Sequence, residues 1–405
     1  MKFGSPWAPL RQNNSFAAKV LRFSVLFSLL TIISLLRIRN SFDRMAPDPG
    51  FWFLEQVRDN NFLHIFSNQD GFLHLAPRFS FEIVSLFPIK YQAIAGTIGM
   101  QFVFAAVGMA VLYIVQLETK QFWLAFVGAL MVVAVPSAAE STVGNLGSVK
   151  WPLTILLAFI LSSSMTMYRH SNLTIACALF IGLSQPYSIL LLVPVCIKKF
   201  LSNSKVVFTK AEWCVVITSV VQGLIWVTSG VALQKYGEPT YFAWSGMGIF
   251  WYSIWLTPTL TGVLILLFLF FFRKRVNVGS AFEMRLASAS VLLALVAYLQ
   301  LGIKDSSSVA PQAISWVALL LTVSKLDGLF GRKTAKFGMM LVLVISLTAS
   351  VKWFNASWYL TSGPTWSSEI ERARNECEQY DRNEVDVKQF MGDTTFDCKQ
   401  LFGGS

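Results

Sequence analysis

At 405 residues, the chain is 54% hydrophobic and only 14% charged, with a mean hydropathy of +0.56, whereas soluble domains average about a quarter charged residues. Its net charge of +11 is spread over short segments between apolar runs, which excludes a basic nucleic-acid face and reads instead as an orientation signal. This composition predicts an all-α polytopic membrane protein.

The first apolar run, about Val20–Leu36, is long for the core of a signal peptide. It is followed by Arg37-Ile38-Arg39-Asn40, with no small-residue cleavage site, so it predicts transmembrane helix 1. A long polar and aromatic segment, about 37–92, comes next. Apolar runs then predict helices at about 93–115, 122–135 and 151–167, with a second polar loop at about 136–150. The run 173–197 is interrupted by Gly182-Leu183-Ser184-Gln185-Pro186, and Gly with Pro breaks helices, so two short helices are expected to meet at Gln185-Pro186. Further helices are expected at about 213–233, 254–272, 286–303, 313–323 and 337–351. About eleven crossings result, with a domain boundary before a polar tail at 352–405.

Lys and Arg set the orientation. With the N-terminus inside, more than half of the 33 basic residues fall on inner segments, including Lys198-Lys199 and Arg273-Lys274-Arg275. The short outer loops then hold only Lys150, Lys235 and Lys304. The first long loop, the 136–150 loop and the tail all lie outside. Cys377 and Cys398 are the two thiols of the outer tail, where an oxidising compartment permits a disulfide. No His/Cys spacing matches a zinc site, and no metal or cofactor motif is present.

Two outer clusters carry the chemistry. The first is Asn68-Gln69-Asp70-Gly71-Phe72-Leu73-His74-Leu75-Ala76-Pro77-Arg78-Phe79-Ser80-Phe81-Glu82. If Pro77 starts a helix, Arg78 and Glu82 share a face at i and i+4. Asp70 would serve as general base for an acceptor hydroxyl, with Gly71 permitting the sharp turn that presents it. Arg78 would hold a leaving phosphate through its fork geometry, and His74 would orient a sugar hydroxyl or bind phosphate. The same residues also suit an ordinary amphipathic loop closed by an Arg78–Glu82 pair. The second cluster runs from Pro136 to Trp151 and holds Glu140, Asn145 and Lys150. It would wall the same cavity, or be a solvated loop with helix caps. Asp43, Asp48, Glu55, Asp59 and Glu140 compete with Asp70 for the base, Asp43 lying nearest the end of helix 1.

One long outer loop after helix 1, with Gly71-Phe72-Leu73-His74-Leu75-Ala76-Pro77-Arg78, then Glu140-Ser141-Thr142-Val143-Gly144-Asn145-Leu146 and Trp151, resembles the C-type glycosyltransferase (GT-C) superfamily. The short outer C-terminal tail and the size are similar to those of the O-antigen glucosyltransferases. The resemblance implies an inverting transferase of the bacterial cytoplasmic membrane, N-terminus cytoplasmic and C-terminus extracytoplasmic. It implies a polyprenyl-phosphate sugar as donor, a glycan as acceptor, membrane lipids as surroundings and a catalytic acid in the first outer loop. Two rival classes are a flippase for lipid-linked sugars, which would use the helix break near 182–186, and a non-catalytic assembly protein.

Overall fold

A computed structural model of the chain describes residues 16–45, 62–69, 71–136, 138, 142, 144–163, 170–196, 208–229, 261–267, 282–301, 309–325, 331–352, 363–380, 382–389 and 392–402. The described chain is mostly helical, as the composition implies. The helices of its first half are α1 (Phe16–Leu36), α2 (Leu75–Ser85), α3 (Gln92–Thr119), α4 (Phe122–Val133), α5 (Lys150–Ser162) and α6 (Ser171–Gly182). Those of the second half are α7 (Lys210–Thr228), α8 (Phe282–Leu301), α9 (Val309–Ser324), α10 (Arg332–Lys352), α11 (Trp366–Tyr380) and α12 (Cys398–Leu401). Two antiparallel hairpins complete it, β1 (Asn68–Gln69) with β2 (Phe72–Leu73), and β3 (Glu384–Gln389) with β4 (Gly392–Asp397). Of the helix expected at 254–272, residues 261–267 are described and helical.

Helix α3 is the spine, packing on α1, α2, α4 and α5. Its 28 residues are apolar and Ala/Gly-rich. At Gly108 a Cβ would lie 2.8 Å from Val133 Cγ2 and 3.3 Å from Leu30 Cδ1, so the missing side chain is what lets α1, α3 and α4 meet closely. The helix stops at Lys120, whose left-handed backbone (φ 59°) returns its N–H to the Gln116 carbonyl. Helix α9 knits α4, α5, α8 and α10 together. By length and composition, Ile89–Thr119 and Lys210–Thr228 are able to cross a membrane. The other apolar stretches that stand out are shorter, among them Phe122–Val133 and Ser171–Gly182.

The interruption at Gly182–Pro186 is real. Helix α6 ends at Gly182, Gln185 is extended, and a 3-10 turn runs from Pro186 to Leu192 before further helix to Cys196. Charged residues at one end of the bundle show that the chain doubles back here. The Ser163 hydroxyl, after α5, donates to Glu118 near the end of α3 at 2.6 Å. Arg285, near the start of α8, lies within the fields of Glu118, Glu212 and Glu283. Glu283 is ion-paired at 2.8 Å to Lys325, at the end of α9. Helix α5 therefore finishes, and α7 begins, at the same end. The segment between them goes in and returns, as two short helical pieces should.

The tail is a folded unit. Cys377 and Cys398 form a disulfide with Cα atoms 5.8 Å apart, fastening α11 to α12. Ile370, Ala373, Val385, Val387, Phe396 and Leu401 bury a small core that also takes in Ile89 and Ala93 at the start of α3. Arg372 binds Glu369 and Glu376 and donates to the Asp386 carbonyl, pinning α11 to β3. The unit sits at the bundle end opposite the Glu118–Arg285 cluster, held by Trp366, whose indole N–H donates to the Ile89 carbonyl at 2.7 Å.

Candidate functional site

The first cluster folds as a hairpin followed by a helix. Gly71 turns the β1–β2 hairpin with φ 80°, a left-handed value that favours glycine. Helix α2 begins at Leu75, with His74 at its N-cap, two residues earlier than Pro77 suggests. Pro77 is still tolerated, because the first-turn N–H groups have no helical acceptor to lose. Ala76, Pro77, Arg78, Phe81 and Val84 face inward and are buried, while Phe79, Ile83 and Leu86 face outward. Both faces of this short helix are thus apolar.

What the hairpin docks against is the break in the α6 segment. Gln222, midway along α7, is the clamp. Its Oε1 accepts from the Leu73 N–H at 2.8 Å. Its Nε2 donates to the carbonyls of Leu73 at 3.1 Å and Leu183 at 2.9 Å. Ser184 Oγ accepts from the Ala76 N–H at 2.8 Å, and Phe79 packs edge-on against Phe180. Backbone groups freed by the broken helix are therefore satisfied by the first loop and by α7, as a buried break requires. At Gly182 a Cβ would fall 2.1 Å from Thr218 Oγ1 and 2.9 Å from Thr218 Cβ, so only glycine fits.

His74, Arg78 and Glu82 are brought together on this element, and a residue that sequence reasoning passed over joins them. His64 lies in a 3-10 turn, Phe62–Phe66, packed on α2. Arg78 Nη1 donates to the His64 carbonyl at 3.1 Å. Burial pushes the Arg78 guanidinium down to about 10. Burial also raises the Glu82 carboxyl above its ordinary range, and the His64 charge partly opposes that rise. Glu82 Oε1 and His64 Nδ1 are both closed off from solvent, and among the described residues neither has a hydrogen-bond partner.

The second loop touches the first through Leu146, whose side chain lies beside Gly96 of α3 near Val84 of α2. Asn145 serves the fold of its own loop, for its Oδ1 accepts from the Gly147 N–H at 3.0 Å and caps the 146–148 turn. Lys150 opens α5 with its ammonium 5.7 Å from the Trp151 ring centre. Arg37, which in the sequence stands out only as a basic residue after helix 1, is buried and donates to the Val133 and Val135 carbonyls at 2.6 and 2.9 Å. It thereby caps the end of α4, where a cation is favoured.

Asp43 stands apart from this cluster. Its backbone carbonyl accepts from the Trp366 N–H at 2.8 Å, and its carboxylate accepts from the Ser367 N–H and hydroxyl. It caps the tail helix. Asp70 and Glu140, the first choice and one alternative for the base, lie outside the described residues, as do Asp48, Glu55 and Asp59. Among the described residues no group of three or more His, Cys, Asp or Glu side chains is placed to hold a metal ion. No protein-family model matches the chain, and no curated protein matches it.

Proposed function

We propose that the chain is a multi-pass membrane glycosyltransferase of the GT-C type. In this reading it sits in a bacterial cytoplasmic membrane, N-terminus inside. It moves a sugar from a polyprenyl-phosphate carrier to an extracytoplasmic glycan such as O-antigen. The observation that carries the reading is the first loop, folded as hairpin and helix over one bundle end. There it gathers Arg78, His64, His74 and Glu82 beside the second loop. That end also bears the tail. Arg78 would stabilise the departing phosphate and a first-loop carboxylate would take the acceptor proton.

Exposed apolar stripes support the membrane setting. Leu21, Val25, Leu29, Ile32 and Leu36 line α1; Trp213, Ile217, Val220, Leu224 and Val227 line α7; Phe337, Met340, Leu341, Val344 and Ile345 line α10. Such helical rows of large side chains exceed what a soluble surface carries. Helix α6 is 12 residues long, about 18 Å at 1.5 Å per residue, which would place the break near mid-membrane and the hairpin in the outer half. A flippase is favoured less, because the break is filled by Gln222 and the first loop rather than open.

The test is transfer of labelled sugar from a polyprenyl-phosphate donor to a lipid-linked glycan by purified protein in lipid vesicles. Label reaching the glycan supports the reading. Donor that changes leaflet without losing its sugar would replace it with a flippase, and neither event would leave an assembly role. Within an active enzyme, Asp70→Asn, Asp43→Asn and Glu140→Gln sort the carboxylates, while Arg78→Lys should retain more activity than Arg78→Ala.

A further inference from the structure

Helix α6 climbs from the inner end of the bundle and stops at Gly182, and α2 starts beside that stop, at Leu75. The Leu75 N–H points to the Leu183 carbonyl at 3.5 Å, and the Ala76 N–H donates to Ser184 Oγ at 2.8 Å. The C-terminal end of one helix thus faces the N-terminal end of the other, the arrangement in which two helix dipoles attract. The neighbouring helices fix the heights. Glu118 of α3 and Glu212 of α7 both act on Arg285, so they are level at the inner end. At 1.5 Å per residue, Gln222, which holds Leu73, stands about 15 Å above Glu212, and Gly96, which neighbours Val84, stands about 33 Å above Glu118. The rise from Leu73 to Val84 is therefore about 18 Å, and α2, with 11 residues, is about 16 Å long. The helix stands on end. Lying flat on the outer surface, it could not reach from the level of Gln222 to that of Gly96.

We propose that α6 and α2 are the two halves of one composite membrane crossing, and that the outward face of α2, with the 62–66 turn, lies against the acyl chains of the outer leaflet. The inference rests on the membrane setting of the reading above and not on its reaction. The two helices have 12 and 11 residues, together enough to cross a hydrocarbon core of about 30 Å. Phe79, Ile83 and Leu86 recur at i, i+4 and i+7 on one face and are exposed, Leu86 by 82%. The turn packed on α2 adds Leu63 and Phe66, exposed by 69% and 55%. The row continues downward: Phe79 packs edge-on against Phe180, and Leu173 and Leu179 of α6 are exposed below it. So long an apolar face is out of place in water. Glu82 flanks the row near its upper end. Above it Tyr91 is exposed, and Lys90 pairs with Glu371 of the tail at 2.9 Å, the residue types that mark a membrane boundary. At mid-depth no water serves the backbone groups where the two helices meet, so Gln222 and Ser184 serve them.

The experiment places nitroxide spin labels on the full chain in vesicles of phosphatidylethanolamine and phosphatidylglycerol. The background carries Cys177→Ala, Cys196→Ala and Cys214→Ala, with the tail disulfide intact. Labels go on Phe79→Cys, Ile83→Cys and Leu86→Cys, with Val220→Cys on the exposed row of α7 and Lys388→Cys on the tail as references. Oxygen concentrates in the bilayer and a nickel chelate stays in water, so the ratio of their effects on each label reads depth. All three α2 labels should favour oxygen, as Val220→Cys does, and the preference should fall several-fold from Phe79→Cys to Leu86→Cys. A nickel preference like that of the tail label would put this face in water and overturn the proposal. Equal ratios at the three sites would lay the helix flat, and poor access to both reagents would mean that protein covers the face; either result overturns it too. A second readout uses the unaltered chain. A phospholipid with a diazirine in mid-chain should, on illumination, mark peptide 79–87 as well as peptide 220–227. Marking of 220–227 alone overturns the proposal even where a labelled variant fails to fold. If the Val220→Cys label itself favours nickel, the membrane setting falls and takes the proposal with it. Absence of sugar transfer by a chain with the expected depths would remove the transferase reading and leave the composite crossing standing.

Discussion

Replacing Gln222 by Met keeps side-chain length and burial but removes the amide that joins α7 to the hairpin and to the helix break. Three strong hydrogen bonds go at once: from the Leu73 N–H, and to the Leu73 and Leu183 carbonyls. Each is worth about 1 kcal/mol net, and leaving buried partners unsatisfied adds to the loss. Measurements on helices in membranes run somewhat lower per bond, so a total of roughly 3 kcal/mol is a fair expectation. At 1.4 kcal/mol per tenfold, the open population of the docked hairpin should rise about 10²-fold. Amide hydrogen exchange reads this directly, since the Leu73 N–H is bonded to Gln222 and the Ala76 N–H to Ser184. A peptide spanning residues 72–77 should lose about two decades of protection, while peptides from α3 should not change. If residues 72–77 exchange within about twofold of wild type, Gln222 is not the clamp, and the docking of the first loop rests on apolar packing alone.

The remaining expectations concern the tail and the break. Asp43→Ala should loosen the tail by about 1 kcal/mol, the worth of a helix cap, and Asp43→Asn should keep most of that; protease release of the tail measures both. Cys377→Ser should destabilise the folded tail by about 3 kcal/mol on the chain-entropy account of its 21-residue span, and non-reducing mass spectrometry of protein from its native membrane should recover the linked peptide. Gly182→Ala drives a methyl into Thr218; thermal stability in lipid should fall by about 2 kcal/mol, the usual scale of overpacking. Thr218→Ala in the same chain should return only part, since the Thr218 Cβ is itself within 2.9 Å.

How much of this was legible depends on the range of the interactions involved. Apolar runs place most of the helices within a few residues, because helix burial is a local, repeated signal. The 182–186 break was legible for the same reason, as Gly and Pro act on their own backbone. Helix α2 was legible in kind but not in start, because His74 and Leu75 carry no strong cap chemistry and Pro77 drew the boundary forward. The tail reads as merely polar, since its core of Trp366, Ile370, Val385, Val387 and Phe396 is small and assembled across more than thirty residues of sequence. His64, Gln222 and Arg37 were missed because their partners are remote: Gln222 bonds residues 149 and 39 positions away. A lone Gln inside the apolar run of α7 was nevertheless a signal, for a polar group there needs a partner.

The buried acids can be sorted by what holds them, and that sorting bears on where chemistry is to be sought. At the end away from the tail, Glu118 accepts from Ser163, Glu283 pairs with Lys325, and Glu212 accepts from the Thr209 N–H in a capping box. At the tail end, Glu369 binds Arg372 and the Lys388 N–H, and Asp43 caps α11. Each of these carboxylates is accounted for by the fold, and moving one would cost the contact it makes. Glu82 and Glu212 each have one oxygen, Oε1, closed off from solvent; Glu212 holds the Thr209 N–H with its other oxygen, whereas burial raises the Glu82 carboxyl above its ordinary range. A protein gains no stability from such a group, since desolvation without a partner is a net cost. Apolar or amide side chains of the same size would serve the packing of α2 better.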